Sequence, residues 1–125
     1  MTIKRSAKSK GDQAELLLLT ELVTRGATVC VPWGEDQLFD LVVEHVKTKR
    51  LLKVQVKMRT SPKYENAYAF ADMSRYIGNI DVMALYVGGD WYFWGKIKLA
   101  KYGVGKTVTL KTKYNLKNNF KVFGC

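Results

Sequence analysis

A chain of 125 residues, 47% hydrophobic and 26% charged, is long enough to bury a core without disulfide or metal staples, and its composition excludes a disordered protein. Lysine and arginine number 21 against 11 acids, a formal charge of +10, so the expected partner is a polyanion: DNA, RNA or an anionic membrane surface. Two distant cysteines and one histidine make no ligand pattern, no apolar run follows the basic "MTIKRSAKSK", and none spans a bilayer, which excludes a zinc site, a signal peptide and membrane insertion and fits a reducing cytoplasm.

In chain order, residues 1–10 read as a basic arm. "GDQAELLLLTELVTRGA" predicts a helix, with Gly11 and Asp12 as its cap and Arg25 and Gly26 at its close. "TVCVPW" predicts a short strand ended by Pro32. "LFDLVVEHV" (38–46) and "LLKVQVKMR" (51–59) predict a hairpin turning at "KTKR". "ADMSRYIGNI" (71–80) reads as a short second helix, and "DVMALYV" and "WYFWGKI" as a hairpin around Gly88, Gly89 and Asp90. The tail alternates well enough for one or two strands. These elements describe one α/β domain over 1–125, a mixed central sheet flanked by helices, with a basic N-terminal arm at 1–10 and a basic C-terminal extension at 101–125.

Three placements break the patterns. Glu15 falls inside the apolar arc of Ala14, Leu18, Leu19, Leu22 and Val23, where an unpaired carboxylate is costly, so a cation is expected beside it. A structural salt bridge and a metal or catalytic lysine remain open at this point. Asp40 stands at the entry of a strand, where aspartate is a poor sheet former, in a hairpin that brings it near residues 55–57. Finally, alternation puts Lys53, Gln55, Lys57 and Arg59 on what reads as the wet face of their strand, three cations and one amide with no acid among them. Glu15, Asp40 and the Gln55 carbonyl beside Lys57 make an oxygen set suited to a hard divalent cation.

These residues resemble the PD-(D/E)XK nuclease superfamily, whose core runs from a helix with a glutamate, through a strand with an aspartate, to an acid-X-lysine strand. Glu15 in "GDQAELLLL", Asp40 in "LFDLVV" and Gln55 to Lys57 in "VQVK" match in order, with Phe39 in place of the usual proline and Gln55 in place of the acid. The glutamine, the "VPWGED" loop and the aromatic residue before the aspartate are similar to the intron-associated homing endonucleases of bacterial group I introns, over residues 8–100. The resemblance implies a restriction-endonuclease-like fold and hydrolysis of double-stranded DNA with Mg2+, for which Mn2+ substitutes. It assigns Glu15, Asp40 and Gln55, with the Val56 backbone carbonyl, to the metal, and Lys57 to the attacking water and the developing phosphate charge. It also implies a homo-oligomer, dimer or tetramer, in the cytoplasm of a bacterial or phage host.

Phosphate contacts are expected from Lys8, Lys10, Lys53, Arg59 and Lys63, among many other cations of the arm, hairpin and tail. Arg59, Lys63, Tyr64, Asn66, Tyr114, Asn115 and Asn118 are candidates for base contacts, whereas the run from Trp91 to Trp94 reads as core and His45 as structural. Two rivals to the homing reading remain: a structure-specific nuclease of the Holliday junction resolvase kind, and a noncatalytic DNA-binding module.

Overall fold

The computed structural model describes residues 7–34, 37–59, 67–71, 76–96, 107–111 and 116–125, with backbone alone for 7–9, 67–71 and 107–111. Helix α1 (Ala7–Thr24) buries Ala14, Leu18 and Leu22, one stripe at four-residue spacing. The helix begins within the expected arm, so Gly11 and Asp12 lie inside it and cap nothing. Its end follows the expectation. Gly26 takes φ 93°, its N–H bonds to the Val23 carbonyl at 3.0 Å and that of Ala27 to Leu22 at 2.9 Å, the Schellman arrangement, closed by contact between buried Leu22 and Ala27.

Among the described residues seven strands follow: β1 (Thr28–Cys30), β2 (Leu41–Glu44), β3 (Leu51–Arg59), β4 (Ala67–Ala71), β5 (Val82–Val87), β6 (Asp90–Gly95) and β7 (Thr107–Lys111). Five make a mixed sheet in the order β1-β2-β3-β5-β6, antiparallel throughout except for the central β3–β5 pair; β4 and β7 form a separate antiparallel pair. Both expected hairpins form. In the β5–β6 turn, Gly88 and Gly89 have φ 59° and 86°, as a primed two-residue turn demands. In the β2–β3 turn, His45 Nδ1 accepts the N–H groups of Lys47 (3.2 Å) and Thr48 (3.1 Å), which makes His45 the organiser of that loop.

A parallel pair needs cover on both faces, and this one has it. Facing α1, Leu52, Val54, Val56, Val82, Ala84, Trp91 and Phe93 join the helix stripe in the main core. On the opposite face, Met83, Leu85, Val87 and Trp94 pack with Ile80, Phe39, Tyr76, Ile77 and Tyr92. The expected wet face of β3 is therefore fully wet only at Leu51 and Lys53, its first two positions on that face. Gln55 is 8% exposed, and Lys57 and Arg59 are half-buried, because the second apolar cluster closes over the face that alternation left to water.

Two further expectations change. The described part of "ADMSRYIGNI" is not helical: Ala71 ends β4, and residues 76–80 form a turn in which the Asn79 and Ile80 N–H groups bond to the Tyr76 carbonyl. The C-terminal extension is no loose appendage over 116–125. A 3-10 helix (Phe120–Phe123) sets Phe120 and Phe123 around Phe93 in the main core, with ring centroids 5.0 and 5.2 Å from it. Asn118 ties this segment to β6, accepting from the Trp91 N–H at 2.8 Å and donating to Asp90 at 2.9 Å. Asn118 thus has a structural role in holding this segment to β6. The aromatic run 91–94 lies in the two cores, as expected. Among the described residues no helix is long and apolar enough to cross a membrane.

Candidate active site

The site is built where β2 begins. Leu41 pairs with Val54, the last step of the β2–β3 register, and Asp40 stands just before it. The Asp40 N–H bonds to the Val54 carbonyl at 2.8 Å, and Asp40 Oδ2 accepts the Val56 N–H at 2.8 Å. At Val56 the ladder has run out of backbone partners on this edge, and the aspartate side chain takes the place of the missing carbonyl. This is why an aspartate, a poor strand former, is at home here. In an extended strand the N–H and C=O of one residue leave on the same edge, so the Val56 carbonyl opens into the same gap.

Glu15 reaches that edge from α1. It lies on the flank of the buried stripe rather than at its centre, since Val23 on the far side of the expected arc is exposed and Glu15 itself is half-buried. Its carboxyl is raised from 4.5 to about 7, first by burial, then by the Asp40 charge, a hydrogen bond with Asp40 and the charge of Asp12. The side chain found beside Glu15 is a second carboxylate, Asp40, whose charge disfavours ionised Glu15.

Gln55 and Lys57 project from β3 onto the opposite face, in rows with Met83 and Trp94 and with Leu85 and Tyr92. Gln55 is the one polar residue among the described buried ones. The Lys57 ammonium stands 5.4 Å from the centroid of the Tyr76 ring, a cation–π contact that holds the long side chain over the sheet. No group of three or more histidine, cysteine or acidic side chains gathers among the described residues. The oxygens brought together at this edge are the two adjacent carboxylates of Glu15 and Asp40, beside the Val56 backbone. That set fits a hard divalent ion, which takes few carboxylates and keeps waters, and whose charge removes the repulsion that raises Glu15.

Of the expected phosphate contacts, Lys10 lies on α1 and is half-buried, and Lys53 is exposed with Nζ 5.7 Å from the Phe39 ring centroid. Arg59 donates to the Met58 carbonyl at 2.9 Å, and burial lowers its guanidinium pKa without discharging it. The Lys8 side chain, Lys63, Tyr64, Asn66, Tyr114 and Asn115 lie outside the described residues.

A family model described as PD-(D/E)XK endonuclease matches residues 5–113. The chain belongs to that family. Nucleases of the PD-(D/E)XK family use divalent metal ions. Among solved structures, the chain is similar to the bacterial homing endonuclease I-Ssp6803I, with a TM-score of 0.64 and 22% identity over 96% of this chain and 88% of that one. It is equally similar to Hjc, a Holliday junction resolvase from the archaeal hyperthermophile Archaeoglobus fulgidus, with a TM-score of 0.65 and 21% identity over 93% and 97%. At these identities the likeness establishes the restriction-endonuclease-like α/β fold. No curated protein matches the sequence.

Sequence reasoning missed Tyr76 under Lys57, which depends on how the 76–80 turn folds across the sheet. It also passed over Trp33, although an indole between Pro32 and Gly34 is a visible signal.

Proposed function

We propose that this protein is a site-specific double-strand DNA endonuclease of the homing type, hydrolysing phosphodiester bonds with Mg2+ or, in its place, Mn2+. The observation that carries this reading is the Glu15–Asp40 carboxyl pair at the open edge of β3, next to the strand that bears Gln55 and Lys57. Glutamine in the acid's position supports the homing subgroup. A symmetric homo-oligomer, dimer or tetramer, in the cytoplasm of a bacterium or phage host completes the reading, since each subunit would supply one cut.

In this scheme Glu15, Asp40, Gln55 and the Val56 carbonyl would hold the divalent ion, which would supply Lewis acidity toward the phosphate and its attacking water. Asp40 is oriented by the Val56 N–H, so its free oxygen is presented at low entropic cost. Glu15, raised to about 7 by burial and by Asp40, would bind such an ion as the carboxylate. Lys57 orients the water and faces the charge that grows on the phosphate as the P–O bond to the departing sugar oxygen breaks. Exposed Lys53 and half-buried Lys10 and Arg59, with Lys8 and Lys63, are assigned to the duplex backbone, which makes affinity fall steeply with salt.

Structure-specific cleavage of branched DNA is the second reading, favoured by size: this chain adds little to the core it shares with the resolvase. The test offers the protein a randomised linear duplex library and a synthetic four-way junction, with Mg2+, with Mn2+ and with EDTA. Metal-dependent recovery of one cut sequence supports the homing reading. Cutting confined to the junction supports the second, and binding without cutting under every condition leaves a DNA-binding module.

A further inference from the structure

Trp33 is 97% exposed, whereas the other two tryptophans, Trp91 and Trp94, are 3% and 0% exposed. Its loop is built to present it. Gln37 Nε2 donates to the Trp33 carbonyl at 2.6 Å, Gly34 takes φ 99°, and the Gln37 amide packs where a Cβ on Gly34 would stand 3.2 Å away. Pro32 fixes the backbone on the other side. The turn thus carries a large apolar ring that is 97% exposed.

The loop also lies at the right end of the sheet. Cys30, the last residue of β1, pairs with Val42, and the chain re-enters the sheet through Asp40. Three residues of chain reach at most about 10 Å, so Trp33 stays close to that end. One turn of duplex runs about 34 Å, so a duplex with a phosphate at Asp40 and its axis toward this end of the sheet reaches the loop. Glu35 and Asp36 follow Trp33 in sequence and repel a phosphate backbone, which leaves an uncharged base face as the matching surface.

We propose that Trp33 is a DNA wedge: its indole stacks on a base step beside the scissile phosphate and partly unstacks it. The inference rests on the DNA-cleaving function above. Aromatic and apolar side chains that contact bases this way kink a duplex at the step they enter or stack on bases already opened. The shared chemistry is an accessible base face, supplied by a kinked duplex or by an open junction.

The test uses the selected duplex and the four-way junction, each with 2-aminopurine near the cut, in EDTA so that nothing is cleaved. Acrylamide quenching of protein fluorescence reports chiefly Trp33, because the other two indoles are buried. DNA should shield the protein from acrylamide, and 2-aminopurine emission should rise with the wild-type protein and stay flat with Trp33→Ala. Trp33→Ala should bind roughly tenfold more weakly and keep the wild-type melting temperature, since the ring contributes nothing to the core. Which of the two DNAs responds identifies the source of the base face. Wild-type cutting with unchanged quenching, unchanged 2-aminopurine and normal Trp33→Ala binding overturns the wedge and leaves the nuclease reading standing. Shielding that appears with protein concentration alone assigns Trp33 to a contact between copies and overturns the wedge. Failure of the wild-type protein to bind or cut any DNA overturns both.

Discussion

Glu15→Gln should make the metal-free protein more stable at pH 8 while abolishing cleavage. The Glu15 carboxyl titrates at about 7 in the fold against 4.5 for an ordinary glutamate. Folding therefore takes up a proton between those values, and stability falls as pH rises through the window; the full cost is present above pH 7 and gone below 4.5. The gap corresponds to about 3 kcal/mol, and solvent screening of a half-exposed carboxyl reduces it to about 1–2 kcal/mol. Glutamine carries no charge and its amide still donates to Asp40, so the variant escapes the cost and keeps the contact. Urea unfolding in EDTA at pH 5 and pH 8 measures the difference. The variant should gain about 1–2 kcal/mol at pH 8 and most of that gain should vanish at pH 5. Adding Mg2+ at pH 8 should stabilise the wild-type protein more than the variant. A gain equal at both pH values, or a variant less stable at pH 8, would refute the carboxyl-pair argument.

Lys57→Ala should abolish cleavage and leave DNA affinity nearly unchanged in a gel-shift titration; retained cutting removes Lys57 from the chemistry. Gln55→Glu restores a charge to the metal set and should lower the Mg2+ concentration needed for half-maximal cleavage, whereas an unchanged metal titration shows that Gln55 is not a ligand. Phe123→Ala empties a fully buried position in the main core and should cost about 3–5 kcal/mol in urea unfolding, a loss that a dispensable tail would not show. Gly124→Ala places a Cβ 2.5 Å from His45 Cε1 at φ 81° and should cost about 1–3 kcal/mol; an unaltered midpoint would mean that the His45 ring is free to move aside.

Glu15 and Asp40 were each legible as anomalies because each violates its local pattern, a carboxylate on an apolar helix arc and an aspartate in a strand. What pairs with Glu15 was not legible. A buried carboxylate alone asks for a cation, and only the packing of α1 against the edge of β3 sets a second carboxylate there. The described residues of "ADMSRYIGNI" are not helical: Ala71 ends a strand and residues 76–80 form a turn beside the second apolar cluster. Asn118 and the final phenylalanines looked like parts of a basic tail, since nothing local announces that a segment will dock on a distant edge strand.

The sequence by itself determined the family, the helix and its glycine stop, both hairpins and the order of the site residues, all of which rest on short-range periodicity, turn chemistry and motif order. Tertiary structure alone decided which faces are dry. Alternation along β3 describes one strand's two sides and not the layers that will cover them, so Gln55, exposed by pattern, is buried by the Met83–Trp94 cluster. The same long-range packing brings Glu15 to Asp40, closes the core with Phe120 and Phe123, and leaves the Trp33 ring outside it.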